Sequence, residues 1–424
     1  MNVNDYVVVS TVSNEFKGII LESKNPEKII LKLDSGYNIS LNKGDIKETK
    51  VLSSLKKEKR SIPKLKENPD LPTILILHTG GTIASRVDYK TGAVFPAFSP
   101  EEILEKLPDL QQIANIKSRL ISNMFSEDIN FNHYNLIASE VEKESNIKGI
   151  IITHGTDTLH YTSAALTFML DNLQFPVIIV GAQRSSDRGS SDAFLNLYCA
   201  CKFIAETDYC GIAICMHQNL NDDNCIILPS LKTKKLHSSR RDAFKPINTE
   251  EIAIVNKKQV NFIVKDYPKA SNKKLIIKNF KDVKVGILMA HPNMKAEEIS
   301  NYKNFDGLIL EGTGIAGNFP INKIDSYTEE NEKIYNELKK LAKKIPVAVT
   351  TQTIFGRVNM NVYSTGRKMQ EIGILGNLLD MTTETAFIKL AFLLSNYPKE
   401  EARKLYSKNL KGEISSRINE KFID

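Results

Sequence analysis

The sequence predicts an α/β protein: a larger, doubly wound α/β unit followed by a smaller C-terminal α/β unit, with a small β-barrel in front. Three observations predict it. From Thr73 onward, short apolar runs alternate with helical patterns, which signals βαβ units and a mostly parallel sheet. Before residue 50, short β-branched runs follow one another with no helical pattern between them, as in a small barrel. Between residues 218 and 282 the alternation loses its regularity and then resumes, which separates the two α/β units. The division is 1–55 barrel, 56–72 linker, 73–265 larger unit, 266–282 connection and 283–424 smaller unit.

In the barrel, Asp5–Val9, Lys17–Leu21, Lys28–Leu33 and Tyr37–Leu41 read as four strands, with Asp34-Ser35-Gly36 as a hairpin turn. The linker carries Lys56, Lys57, Lys59 and Arg60 and is punctuated by Pro63, Pro69 and Pro72. It reads as solvated chain, or as a segment that touches nucleic-acid phosphates. In the larger unit the strands are 73–78, 148–153, 176–180 and 211–216, and the helices 99–107, 132–147, 158–170 and 191–206. Ser99 and Pro100 suit the start of the first helix. In the smaller unit, 283–289, 307–310 and 346–351 read as strands, and 329–344 and 382–395 as helices.

Composition is that of an ordinary globular chain: 42% hydrophobic and 25% charged over 424 residues. The net charge of +7 permits contact with a polyanion without requiring it. The first ten residues lack the basic start and apolar run of a signal peptide, and no run of about 18 apolar residues suggests a membrane span. Cys199, Cys201, Cys210, Cys215 and Cys225 form no Cys-x-x-Cys pair and read as buried reduced thiols in a cytoplasmic protein. A zinc site from Cys199, Cys201 and His217 has the wrong spacing, so no metal is expected.

Two strands end in Gly-Thr. Thr73–Leu77 runs into Thr79-Gly80-Gly81-Thr82, and Gly149–Thr153 runs into His154-Gly155-Thr156-Asp157-Thr158. Glycine lets the backbone turn sharply and approach a ligand, and open α/β folds bind ligands beyond the carboxyl ends of their strands. The pair therefore suggests one crevice lined by two threonines. A threonine hydroxyl needs a base to become a nucleophile, and a lysine beside a carboxylate supplies one route. Spacing does not single out which lysine of Lys232, Lys234 and Lys235 that is. Read locally, Thr156-Asp157 also suits a helix N-cap, and His78 and His154 read as structural hydrogen-bonders.

Thr79–Ala84, His154–Thr158 and Gly181-Ala182-Gln183-Arg184 resemble the signatures of the bacterial-type L-asparaginase/glutaminase family, in the same order, from about Pro72 to the C-terminus. Within it the chain is similar to the archaeal tRNA-dependent amidotransferase branch. The barrel segment 31–39, the loop Val87–Val94 and His237–Phe244 carry that likeness. The resemblance implies an asparaginase-like fold and a set of roles. Thr82 is the nucleophile, Thr156, Asp157 and Lys235 the proton relay, and Tyr89 the loop residue closing over the nucleophile. Ser126 holds the substrate α-carboxylate, and Glu127 with Asp157 the α-ammonium. Lys235 stands nine residues before Phe244, as the family's lysine stands before its phenylalanine. Residues 230–234 and 312–318 depart from the family pattern.

The implied function is a glutaminase subunit supplying ammonia to a transamidase/kinase partner subunit that converts Glu-tRNA(Gln) to Gln-tRNA(Gln). ATP and Mg belong to the complex, at the partner, with no cofactor in this chain; no Gly-x-x-x-x-Gly-Lys-[Ser/Thr] loop occurs here. A homodimer is implied as well. The alternatives are a stand-alone L-asparaginase using the same threonines and an RNA-binding subunit with a relic site.

Overall fold

The computed structural model describes every residue except 1, 2, 4, 22, 24, 35–37, 55–66, 82–84, 88–93, 97–107, 187–189 and 419–424. The expected helix 99–107 and most of the turn 34–36 therefore lie outside the described residues, as do residues 56–66 of the linker.

The N-terminal unit is an antiparallel sheet of five strands: β1 (Asp5–Thr11), β2 (Glu15–Leu21), β3 (Lys28–Leu33), β4 (Asn38–Asn42) and β5 (Ile46–Ser54). Their order is β4-β3-β2-β1-β5, and alternate residues Val7, Val9, Ile20 and Leu31 form its core. The sequence suggests four strands. The fifth is an exposed edge strand in which Lys47, Glu48 and Lys50 hide the alternation.

The larger unit is an eight-stranded sheet. Its strands are β6 (Thr73–Gly80), β7 (Asn115–Met124), β8 (Gly149–Thr153), β9 (Val177–Val180), β10 (Ile212–His217), β11 (Cys225–Pro229), β12 (Ala253–Val255) and β13 (Val260–Phe262). The order is β13-β12-β11-β10-β9-β8-β6-β7. From β7 to β10 the pairing is parallel; β11 to β13 add on antiparallel. The four inner parallel strands, β6, β8, β9 and β10, are buried on both faces and read as continuous apolar runs, which is why they are legible. The edge strand β7 carries Lys117 and Arg119 and was not legible. Residues 218–282, irregular by sequence, hold β11–β13 and a short antiparallel pair, Thr233–Lys235 with Phe244–Pro246.

Helices α1 (Phe131–Glu142), α2 (Leu159–Met169) and α3 (Ala193–Glu206) cover this sheet. In the smaller unit, β14 (Val285–Met289), β15 (Gly307–Gly312) and β16 (Val347–Thr351) form a parallel sheet flanked by α4 (Glu329–Lys344) and α5 (Thr383–Asn396). Helix α5 packs on α2, with Phe168 stacked on Phe392 at 5.6 Å between ring centroids. One apolar cluster thus runs from Leu75 and Ile152 through Phe168 and Leu390 to Ile309 and Ala348.

The strand order fixes where a ligand can enter. Chain order carries β6 outward to β7 and then back across to β8, so β6 and β8 are neighbours whose connections leave in opposite directions. That is a topological switch point, where the sheet opens a crevice at the carboxyl ends of its strands.

Candidate active site

The two Gly-Thr turns sit at this switch point. Gly80 and Gly81 have φ of +112° and +80°, the left-handed region that favours glycine. A Cβ on Gly81 would lie 2.5 Å from the Gly155 nitrogen, and one on Gly155 2.8 Å from the Ser126 Cβ. Three chain segments therefore touch at these glycines, and only glycine permits it. Thr82, the next residue after Gly81, lies outside the described residues, as does Tyr89. Of their loop, Ser85–Val87 pairs antiparallel with Val94–Pro96.

Around this contact is a cavity of about 220 Å³. That is below the roughly 300–1,000 Å³ of drug-sized pockets and suits a single amino acid. Gly81, Ser126, Glu127, Thr156, Asp157 and Lys235 line it, with Phe125, Gly155, Ala182, Gln183 and Ser238. A larger cavity of about 430 Å³, near Tyr209 and Pro268, contains none of the expected site residues.

Lys235 settles into the crevice. Its Nζ donates to Thr156 Oγ1 and to Asp157 Oδ1, both at 2.8 Å. The lysine side chain is only 10% exposed, whereas the Asp157 side chain is 68% exposed toward the open mouth. Lys232 and Lys234 point elsewhere. Lys232 pairs with the buried Asp380 at 2.6 Å, and Lys234 pairs with Glu384, both partners lying in the smaller unit. The three lysines that spacing could not separate are thus sorted by their acidic partners.

Further contacts hold the crevice rigid. His154 is fully buried, and burial pushes its pKa down to about 4 despite the Gly155 carbonyl beside it. The neutral ring has one donor and one acceptor. Its Nδ1 lies 2.6 Å from the Gly155 carbonyl and so carries the hydrogen, leaving Nε2 to accept from Thr162 Oγ1 at 2.8 Å. His154 is structural. His78 is likewise lowered to about 4 by burial and joins β6 to β8 through Thr153 Oγ1 at 3.0 Å. Thr158 Oγ1 donates to the Ser126 carbonyl at 2.5 Å, which seats the buried Ser126 against the second turn.

Two groups of cavity-lining residues received no role from the sequence. Gln183 and Ala182 follow β9, and the fully buried Asp192 carboxylate accepts from the Gln183 and Arg184 amides at 3.0 Å each, fixing that turn. The signal for it was the third strand ending in glycine, Gly181. Ser238 lines the cavity from the loop after Lys235, and nothing in its spacing marked it. All five cysteines are buried and form no disulfide; among the described residues no group of His, Cys, Asp and Glu could hold a metal ion.

Comparison with known proteins agrees with this geometry. Residues 73–267 match the family "Asparaginase, N-terminal", residues 284–406 the "Glutaminase/Asparaginase C-terminal domain", and residues 1–52 the "GatD N-terminal domain". The chain is 42% identical over 429 residues to the D subunit of the glutamyl-tRNA(Gln) amidotransferase of Methanococcus maripaludis, covering 99% of both chains. It is 40% identical over 430 residues to the corresponding D subunit of Pyrococcus furiosus, covering 98% of this chain and 95% of the relative. Among solved structures, the L-asparaginase of Thermococcus kodakarensis superimposes with a TM-score of 0.71 at 32% identity, covering 81% of this chain and all of its own. L-asparaginase I of Vibrio cholerae gives a TM-score of 0.70 at 26% identity, covering 81% of this chain and 99% of its own. With matched domains in the same order and near-complete coverage of its relatives, the chain belongs to the GatD family, the D subunits of glutamyl-tRNA(Gln) amidotransferases, built on the asparaginase/glutaminase fold.

Proposed function

We propose that this chain is the glutaminase subunit of a tRNA-dependent amidotransferase. It hydrolyses the side-chain amide of glutamine and supplies ammonia to an E-type transamidase/kinase partner, which converts Glu-tRNA(Gln) to Gln-tRNA(Gln). ATP and Mg act at the partner. The observation that carries the reading is the convergence of Lys235 Nζ on Thr156 and Asp157 beside Gly81, the residue before Thr82.

The chemistry needs a hydroxyl nucleophile and a route for its proton. Thr82 Oγ1 attacks the amide carbon, and its proton passes into the relay of Thr156, Lys235 and Asp157. Collapse of the tetrahedral intermediate breaks the C–N bond; the relay returns the proton to nitrogen and ammonia leaves. Water then cleaves the threonine ester, releasing glutamate and restoring the hydroxyl. Backbone N–H groups near Gly81, Thr82 or Thr156 stabilise the oxyanion. Ser126 receives the substrate α-carboxylate, Glu127 and Asp157 its α-ammonium, and Tyr89 closes over the nucleophile.

The solved asparaginase relatives favour a second reading, a stand-alone L-asparaginase, because their likeness spans both α/β units. The match of residues 1–52 to the GatD N-terminal domain favours the amidotransferase. A cytoplasmic site of action fits either; among the described residues no helix is long and apolar enough to cross a membrane. The test of the relay is Lys235→Met. Ammonia release from glutamine should fall by about 10²- to 10⁴-fold, the usual worth of positioned acid–base groups. Retention of the full rate would remove Lys235 from the mechanism.

A further inference from the structure

The lysine of the relay stands on a strand only three residues long, Thr233–Lys235, paired with Phe244–Pro246. So short a pair does not fix a side chain by itself. Contacts within the larger unit hold the strand's backbone, with Thr233 Oγ1 donating to the Pro229 carbonyl at 2.6 Å, and the smaller unit adds a further restraint on the side chains. The first turn of α5 and the residues before it grip the approach to Lys235 three times. Thr385 Oγ1 donates to the Leu231 carbonyl at 2.8 Å, Lys232 pairs with Asp380 at 2.6 Å, and Lys234 pairs with Glu384. Successive strand residues face opposite ways, so anchoring Lys234 toward α5 turns Lys235 toward Thr156.

Glu384 is the hub of this grip. Its Oε1 faces both Lys234 and, at 3.8 Å, His160 Nε2. The His160 ring lies edge-on to Phe244, the residue paired with Lys235, at 6.3 Å between centroids. Glu384 is therefore linked to the Lys235 strand pair from two sides. Burial alone would raise its pKa, but His160 and Lys234 more than offset that and hold it down to about 2, so the carboxylate is an anion at working pH.

We propose that Glu384 is a positioning residue: through Lys234 it sets the direction of Lys235, so that the smaller unit governs the geometry of a relay built on the larger one. The proposal rests on the role of Lys235 argued above. The test uses the full chain assembled with its partner and Glu-tRNA(Gln), and follows ammonia release from glutamine. Glu384→Gln should lower kcat by about 10- to 100-fold, the effect of misplacing a catalytic group by an ångström or less. The KM for glutamine should stay within about twofold, because Ser126 and Glu127 are untouched. Glu384→Asp, which keeps the charge, should recover part of the rate. If Glu384→Gln does not fold, Lys234→Gln carries the same expectation from the other side of the pair. In the double variant the two losses should not add, since either alone breaks the grip.

A wild-type kcat in Glu384→Gln with a lowered melting temperature would overturn the proposal and leave the pair a fastener between units. Additive losses in the double variant would also overturn it. The underlying reading fails separately: it falls if Lys235→Met retains the full rate, whatever Glu384→Gln does.

Discussion

Gly81 and Gly155 hold the crevice together by what they lack. Each lies where a methyl group would overlap a neighbouring segment, and Gly81 also has positive φ. Gly81→Ala should therefore cost about 1–3 kcal/mol from backbone strain and collision. Thermal unfolding measures the loss, and an unchanged melting temperature would mean that β6 and β8 do not meet as described. Both glycines were legible in the sequence, since a glycine turn at the end of an apolar strand has few other uses. Which lysine joins them was legible only by resemblance. Lys232, Lys234 and Lys235 are alike in local pattern, and what sorts them is Asp380, Glu384 and Asp157, two of which lie about 150 residues away in sequence.

At the scale of elements, two features of the packing can be tested. The first is acid stability. His78 and His154 have pKa values lowered from 6.5 to about 4, so below 6.5 the unfolded chain binds protons that the folded chain refuses. Glu384 is lowered from 4.5 to about 2, so between those values the unfolded chain again binds the extra proton. In both cases stability is full at higher pH and falls as pH drops. Denaturant unfolding should show a decline that begins below about pH 6.5 and steepens below about 4.5. In His154→Gln the upper part of the decline should shrink; a flat profile from about pH 7 to about pH 4 would contradict the buried neutral imidazoles. The second is the clasp of α5 on the C-terminal segment. Lys389 and Glu413 are both fully buried and paired at 2.5 Å, and Lys389 also donates to the Lys408 carbonyl at 2.6 Å. Lys389→Met alone should cost about 3–5 kcal/mol by stranding a buried carboxylate. Lys389→Met with Glu413→Leu should cost clearly less, and equal losses would contradict the pairing. Edge elements such as β5 and β7 were not legible for the opposite reason: one face meets water, and their charged residues dilute the apolar period.

At the scale of the molecule, the four buried parallel strands of the larger sheet, its flanking helices and the main strands and helices of the smaller unit followed from strand–helix alternation. The antiparallel strands β11–β13 did not, because their neighbours come from distant segments and each is five residues or fewer. The reach of the smaller unit into the site, through Asp380, Glu384 and Thr385, is likewise a product of tertiary packing. Through these contacts α5 connects the strand that carries Lys235 to the body of the second unit. A glutaminase serving tRNA amidation should release ammonia from glutamine strongly only when its partner and Glu-tRNA(Gln) are present. The most direct measurement is ammonia release from glutamine and from asparagine, by the chain alone and then with its transamidase partner and Glu-tRNA(Gln). Release should be weak by the chain alone and should rise strongly, and selectively on glutamine, in the complex. Vigorous asparagine hydrolysis by the isolated chain, unmoved by tRNA, would contradict that role.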